Sequence, residues 1–299
     1  MPHDCAHHAM PSSASGSFHK AFGISIALNA LFVMVEAFIG LHTLSLALVA
    51  DALHNLGDVL GLILAWIGYY FAQRAPSERF TFGLGRLSIF ATVLNGAFLV
   101  ISAIFIVYEA ISRWGAPPPE ATNLIMLTAF IGILINAGTA LALMRGKHDI
   151  NIKGAYLHML ADAGVSAAVI VAALLIGLTG WGWIDLALAV MVAILILWSS
   201  WPLMVEGLKL AIDGVPSHVN HKDIKDFILS QSAVIEVNDL RIWALSTTKT
   251  ALTAHVVVTA DLATPDLLKT LHHALQHQFN LASVTLQIED THHRCVTSF

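Results

Sequence analysis

Charged residues are scarce in this chain of 299 residues. Asp, Glu, Lys and Arg make up 12% of the sequence, whereas a soluble domain has about 25%. With only 15 Lys and Arg residues and a net charge of -5, the chain lacks the basic surface that binds nucleic acids. Hydrophobic residues reach 57%, and the mean hydropathy is +0.73. The composition therefore predicts a membrane protein with several spanning helices.

Cysteine is also rare, and this excludes a disulfide-based fold. The chain has two cysteines, Cys5 and Cys295, and no CxxC motif. The first 20 residues are polar with one cation, Lys20, so they lack the basic start of a cleavable signal peptide. We expect them to form a cytoplasmic tail that contains several histidines.

Long apolar stretches dominate the sequence up to about residue 212. A spanning helix needs about 20 mostly apolar residues. Six stretches are long enough, and the last of them has room to continue toward Ile212. The predicted spans are residues 21–41, 44–71, 87–111, 122–144, 155–178 and 181–203.

The positions of Lys and Arg predict how these spans cross the membrane. Seven cations lie in the loops on one side and one, Arg113, on the other, and loops rich in Lys and Arg stay in the cytoplasm. Both termini are therefore predicted to be cytoplasmic, and the short loops favour a bacterial inner membrane. The seven are Lys20, Arg74, Arg79, Arg86, Arg145, Lys147 and Lys153.

The chain becomes more polar from Asp213 onward, and its patterns predict a small second domain. Helical and alternating segments follow each other in the order α-β-β-α-β. The predicted fold is an α-helical polytopic membrane protein of six transmembrane helices with a C-terminal cytoplasmic α+β domain. The predicted divisions are a tail at 1–20, a transport domain at 21–212 and a cytoplasmic domain at 213–299. Such a small domain has a marginal core, which favours dimerisation.

Ionisable residues are concentrated in the second and fifth predicted spans. The second contains LHNLGD, with His54 and Asp58, and the fifth contains LHMLAD, with His158 and Asp162. Residues four apart lie on the same face of a helix, so each span presents one imidazole and one carboxylate. An acid at the centre of a span costs at least about 2.5 kcal/mol, so intramembrane acids usually have a function.

These two pairs predict a metal site if their faces meet. Two nitrogens and two oxygens suit tetrahedral zinc, whereas magnesium prefers six oxygen ligands with water. Two carboxylates also neutralise a divalent cation. Small residues beside the motifs, including Gly57 and Gly164, would let the helices approach closely. The alternative is a structural network of polar groups between the helices.

The sequence resembles the cation diffusion facilitator family over nearly its whole length. The resemblance is carried by SLALVADALHNLGD, FTFGLGR, NIKGAYLHMLAD, DLRIWAL and LTAHVVV, and it is greatest for bacterial zinc-type exporters. It implies export of Zn²⁺ from the cytoplasm in exchange for protons, by a homodimer with alternating access. It also implies that His54, Asp58, His158 and Asp162 form the transport site, and that the cytoplasmic domain is metallochaperone-like.

Other readings remain open. Cd²⁺, Co²⁺ and Ni²⁺ are alternative substrates within the same family. An intramembrane metalloenzyme is a remote alternative, because it typically needs an HExxH motif and an open metal position, and no HExxH occurs. A haem protein with axial histidines is a further rival. We expect a secondary transporter rather than an enzyme.

The resemblance also identifies candidate sites outside the membrane. His255 and Glu289 stand at family metal positions, although Asn238 and Arg241 replace histidines nearby, so only a reduced site is expected. Arg86 and Asp213 match a family ion pair between the membrane and cytoplasmic parts; Arg86 is otherwise one more cytoplasmic-side cation.

The remaining candidates are polar residues of the first two spans and of the tail. Asp51, Asn55 and Glu36 are expected to orient the ligands, to carry protons or simply to bond between helices. The tail residues His3, Cys5, His7 and His8 could bind borderline metals. Phe80 and Leu84 occupy positions where some relatives have metal-binding histidines, so we expect no site there.

Overall fold

The computed structural model describes residues 15–72, 74–143, 150–259 and 265–290. Six long helices come first, followed by a small α+β domain. Each of the six predicted spans falls on one of these helices. The helices are α1 (Ser15–His42), α2 (Leu46–Ala72), α3 (Leu87–Ser112), α4 (Thr122–Leu143), α5 (Ile150–Thr179) and α6 (Trp183–Ala211).

Five of these helices, α2 to α6, contain apolar segments long enough to cross a membrane. The described part of α1 contains a shorter apolar segment, Ala27–His42. Many apolar side chains on the helices are exposed, such as Phe38 at 70% and Trp198 at 79%. Continuous apolar surface of this kind is suited to lipid. The chain is therefore a multi-pass membrane protein.

The C-terminal domain has the predicted order α-β-β-α-β. Strands β1 and β2 are antiparallel, and β3 lies parallel to β2 on its other edge, giving a mixed sheet in the order β1-β2-β3. Its core contains Leu271 and Leu275 of the second helix, which are fully buried. The elements are α7 (His221–Leu229), β1 (Val234–Ala244), β2 (Thr250–Val258), α8 (Pro265–Gln278) and β3 (Ser283–Asp290).

The chain divides into two compact units. The first unit comprises described residues of 1–63 and 98–199, and the second those of 64–97 and 200–299. The second unit thus joins the C-terminal domain to the neighbouring ends of α2, α3 and α6. The predicted division at 212 and 213 remains a prediction.

The start of α2 is held by a carboxylate from another helix. Asp185 of α6, only 3% exposed, accepts hydrogen bonds from the Ser45 hydroxyl and the Leu46 backbone N–H, both at 2.6 Å, and from Ala47 N–H at 3.3 Å. The first N–H groups of a helix have no partner within it. Asp185 satisfies two of them, and its negative charge suits the positive end of the α2 dipole.

We predict that Asp185→Asn destabilises the protein by about 1–3 kcal/mol, since the amide of Asn would place a donor where the carboxylate accepts. The measurement is the thermal unfolding of purified protein in detergent. Glu109→Gln is the matched control, because Glu109 forms only a partly exposed pair with Arg113. Equal melting of the wild type and Asp185→Asn would contradict this role of the cap.

Candidate metal centre

Helices α2 and α5 bring the four predicted ligands together within the first compact unit. His54 and Asp58 lie on α2, and His158 and Asp162 lie on α5. One ligand atom from each of the four lies within 4.8 Å of the others. The site follows from two local patterns, because each helix places its histidine and its aspartate one turn apart on one face.

The four side chains form a closed ring in which imidazoles and carboxylates alternate. His54 Nε2 lies 3.3 Å from Asp162 Oδ1 and 3.9 Å from Asp58 Oδ2. His158 Nε2 lies 3.2 Å from Asp58 Oδ2 and 3.7 Å from Asp162 Oδ2. No two groups of like charge are adjacent around this ring, so each carboxylate faces two nitrogens.

The cross-helix contacts continue as an antiparallel ladder. Asp58 faces His158, His54 faces Asp162, and one turn further on Asp51 accepts a hydrogen bond from the Ser166 hydroxyl at 3.0 Å. The register of α2 against α5 is therefore defined by three successive polar contacts. Sequence reasoning did not single out Ser166, although it lies four residues after Asp162 and thus on the same face of α5.

Exposure changes along this ladder. The side chains of His158 and Asp58 are 43% and 29% exposed. Those of His54 and Asp162 are only 14% and 3% exposed. The site is accordingly open at the end formed by His158 and Asp58 and closed at the other.

The distances around the ring match what a tetrahedral ion requires. Ligands about 2.0–2.1 Å from zinc would lie about 3.3 Å from one another. The four neighbouring nitrogen–oxygen distances range from 3.2 to 3.9 Å. Small side-chain movements would bring all four atoms to such an ion. The same four groups are also able to hold protons instead, with each imidazolium paired to carboxylates.

Glycines near the ligands have different packing roles. A methyl group on Gly57 would lie 2.2 Å from the Leu99 side chain of α3, so a larger residue would require that side chain to move. At Gly164 a methyl group would meet nothing within 4 Å. The sequence-based expectation of close packing thus applies to Gly57, where the partner is α3 rather than α5, and fails for Gly164.

Two further acids lie beyond the closed end of the ring. Glu36 of α1 and Asp51 of α2 are fully buried and close enough to interact electrostatically. Asn55 donates a hydrogen bond to Glu36 Oε2 at 3.1 Å. Among the described residues, Glu36 Oε1 and Asp51 Oδ1 have no hydrogen-bond donor. A proton placed between the two carboxyl groups would satisfy both oxygens.

The candidate residues of the C-terminal domain form a pair rather than a multi-ligand cluster. His255 Nδ1 lies 2.7 Å from Glu289 Oε1, which also accepts a hydrogen bond from the Gln287 amide at 2.9 Å. Asn238, His255 and Gln287 occupy one row across the three strands. Across the described ranges, no group of three or more His, Cys, Asp or Glu side chains other than the ring in α2 and α5 could share an ion.

The structure also places the other predicted residues. Arg86 Nη2 lies 2.5 Å from Asp213 Oδ1, and both side chains are about half exposed. Such an exposed pair contributes at most about 1 kcal/mol. Arg241 pairs with Asp239 at 2.6 Å. The tail residues His3, Cys5, His7 and His8 lie outside the described residues.

Comparison with known proteins places most of the chain in one family. Residues 23–210 match the cation efflux transmembrane domain, and residues 216–291 match the cytoplasmic domain of cation efflux proteins. The chain is similar to a solved structure, the metal-bound C-terminal domain of the CzcD transporter from Cupriavidus metallidurans. That likeness has 34% identity, covers 24% of this chain and 99% of that one, and has a TM-score of 0.22.

Full-length relatives are similar over most of both chains. A cadmium, cobalt and zinc/H⁺-K⁺ antiporter of Bacillus subtilis is 34% identical over 93% of this chain and 91% of its own length. The metal cation efflux system protein CzcD of Cupriavidus metallidurans is 35% identical, with coverage of 92% and 87%. Zinc transporter ZitB of Yersinia pestis is 34% identical, with coverage of 91% and 88%. The chain belongs to the cation efflux family, the cation diffusion facilitators, and is a divalent metal transporter rather than an enzyme.

Proposed function

We propose that this protein exports Zn²⁺ from the cytoplasm in exchange for protons, and that His54, Asp58, His158 and Asp162 form the transport site. The observation that carries the proposal is the ring itself, whose four ligand atoms lie within 4.8 Å of one another on the apolar segments of α2 and α5. Two of the relatives described above are named for zinc transport among their activities.

The ligand set favours zinc among divalent ions. Two imidazole nitrogens and two carboxylate oxygens are common tetrahedral zinc ligands. Their two negative charges neutralise the ion, which lowers the cost of holding it away from water. Cd²⁺, Co²⁺ and Ni²⁺ also bind such ligands, so they are the alternative substrates. A tetrahedron filled by four protein ligands has no position for a catalytic water, which disfavours a metalloenzyme.

Proton exchange follows from competition for the same atoms. Histidine binds a metal only in its neutral form, so a proton and a zinc ion compete for each imidazole lone pair. When the ion leaves, protonated His54 and His158 are stabilised by the carboxylates at 3.2–3.9 Å. The ring therefore has a favourable arrangement in both its zinc-bound and its protonated form, as an exchanger requires.

The exposure of the ring supports loading from the cytoplasm. With both termini cytoplasmic, α2 runs toward the cytoplasm and α5 runs away from it. Asp58 and His158 then lie on the cytoplasmic side of the site, and these are the more exposed ligands. His54 and Asp162, on the outer side, are largely buried. In this orientation the more exposed end of the ring faces the cytoplasm, as loading from the cytoplasm requires.

Glu36 and Asp51 are proposed to carry protons between the site and the outer side. Asp51 precedes His54 by one turn on α2, which places it outward of the ring in this orientation. Its partner Ser166 lies outward of Asp162 on α5. Two buried carboxyl groups in contact favour sharing one proton, because two adjacent negative charges in an apolar environment repel each other. Asn55 would hold Glu36 in place through its hydrogen bond.

The cytoplasmic domain is proposed to make the protein a homodimer in a bacterial inner membrane. Its small core favours extension across a partner. His255 and Glu289 are candidates for a regulatory metal, with Gln287 as a neighbour. Arg86 and Asp213 would link residues 213–299 to the transport domain at 21–212. The tail at 1–20, with His3, Cys5, His7 and His8, would bind metal in the cytoplasm.

We predict that His158→Ala and Asp58→Ala each reduce zinc-dependent proton exchange to the level of empty vesicles, because the three remaining ligands leave the ion incompletely coordinated. The measurement is the pH change inside proteoliposomes after addition of zinc. His42→Ala and Glu109→Ala are matched controls, since these residues lie on membrane helices outside the ring. Wild-type exchange in either ring variant would contradict the assignment.

The choice of metal calls for a separate experiment. We expect Zn²⁺ to be transported most efficiently when Zn²⁺, Cd²⁺, Co²⁺, Ni²⁺, Fe²⁺ and Mn²⁺ are compared in the same vesicles at equal free concentrations. The harder, oxygen-preferring Mn²⁺ is expected to be a poor substrate for a site with two imidazoles. If another ion is transported more efficiently, the assignment of the four ligands still stands, but Zn²⁺ is not the main substrate.

If Glu36 carries protons, its replacement should lower the transport rate without lowering the affinity for zinc. We expect Glu36→Gln to reduce transport at least about tenfold while leaving zinc affinity near that of the wild type. A residue that orients ligands would instead lower metal affinity by about 10–100-fold. Zinc titration and vesicle transport of the same preparations distinguish the two roles. Equal loss of affinity and transport would show that Glu36 orients the site.

A further inference from the structure

A pair of histidines lies on the outer face of α8 in the C-terminal domain. His273 and His277 are four residues apart, and their ring centroids are 4.2 Å from each other. Both residues are exposed, whereas Leu271 and Leu275 on the opposite face are fully buried in the domain core. The two rings are thus carried on a helix that packing holds in place.

The surroundings of the pair leave it accessible to an ion. Lys269, one turn earlier, has its ammonium group 3.8 Å from the Asp266 carboxylate, which offsets its charge. His273 also borders a cavity of about 470 Å³ that is lined by His272, Gln276 and Thr285, among others. An ion held by the rings would therefore have space for coordinated water.

Two imidazoles at this spacing are a chelating unit for divalent metals. Residues one helical turn apart present their side chains to the same region of space. In a tetrahedral complex the two nitrogens would be about 3.3 Å apart, which rings at 4.2 Å between centroids can reach by small rotations. The neutral form of each ring offers one lone pair, so no charged group has to be displaced.

We propose that His273 and His277 form a second metal site, on the surface of the cytoplasmic domain. It takes a borderline divalent ion such as Zn²⁺, Ni²⁺ or Cu²⁺ through two imidazole nitrogens, and water completes the coordination. With two protein ligands instead of four, the ion exchanges readily, in contrast to one held in the buried ring of α2 and α5. The site would bind metal reversibly at the protein surface and release it readily.

His272 distinguishes this site from a general effect of surface histidines. It is adjacent to His273 in sequence, but successive residues point about 100° apart around a helix. His272 is half-buried. It lies three residues before the buried Leu275, on the same side of the helix, whereas its separation of five residues from His277 puts those two on different sides. Replacing it changes the number of histidines on α8 without removing a member of the pair.

The test uses the full chain in lipid nanodiscs with copper(II) iminodiacetate as the probe. Copper binds nitrogen ligands most strongly among these divalent ions, and the chelator leaves positions free for two imidazoles. Bound copper is counted by electron paramagnetic resonance in the wild type, His273→Ala, His277→Ala, the double variant and His272→Ala. Histidines elsewhere contribute equally to all five proteins, and thermal unfolding checks that each is folded.

We expect His273→Ala and His277→Ala each to lose one bound copper per chain, and the double variant to lose no more than either alone, because one site is destroyed only once. His272→Ala should retain the wild-type amount. Retention of the copper by both single variants, or an equal loss in His272→Ala, would overturn the proposal. His273→Gln and His277→Gln replace any alanine variant that fails to fold.

Discussion

The central constraint on this molecule is the cost of holding ionised groups where water is absent. A lone carboxylate at the centre of a span is expensive, yet α2 and α5 each carry one, on successive steps of the ladder between them. The alternating ring of two imidazoles and two carboxylates lowers that cost, since each carboxylate group in it faces two imidazole nitrogens at 3.2–3.9 Å. Because the ring closes only when both helices are in register, the arrangement of the helices and the chemistry of the site depend on each other.

Several features of the first compact unit help to keep that register. Asp185 of α6 holds the first turn of α2, two turns before His54. Gly57 lies against Leu99 of α3, directly before Asp58. Ser166 extends the ladder of α5 against α2 by one further contact. A helix that is capped at its start and packed tightly on a neighbour has little freedom to slide, so His54 and Asp58 are presented at a defined height.

Much of this could be predicted from the sequence because the signals are local. Apolar length predicts the spans. In α2 to α5 the helices agree with the predicted ranges to within about five residues, and α6 continues past the predicted 203 to Ala211. The His-x-x-x-Asp spacing in two helices predicts two pairs, and alternation in β1 and β2 predicts the strands. Less could be predicted where the partner is distant in sequence. No sequence pattern around Asp185 indicates that it caps α2. Gly164 lies beside its motif as Gly57 does, but it has no comparable contact.

The sequence by itself determined which residue types occupy each helix face, because helical periodicity is a property of neighbours along the chain. It also carried the family resemblance that the comparisons confirmed. Tertiary structure alone decided that His54 faces Asp162 and His158 faces Asp58, and that the exposed ligands lie at one end of the site. Those features depend on how two helices about 100 residues apart are packed, and packing depends on side-chain shape and long-range contacts that no local pattern records.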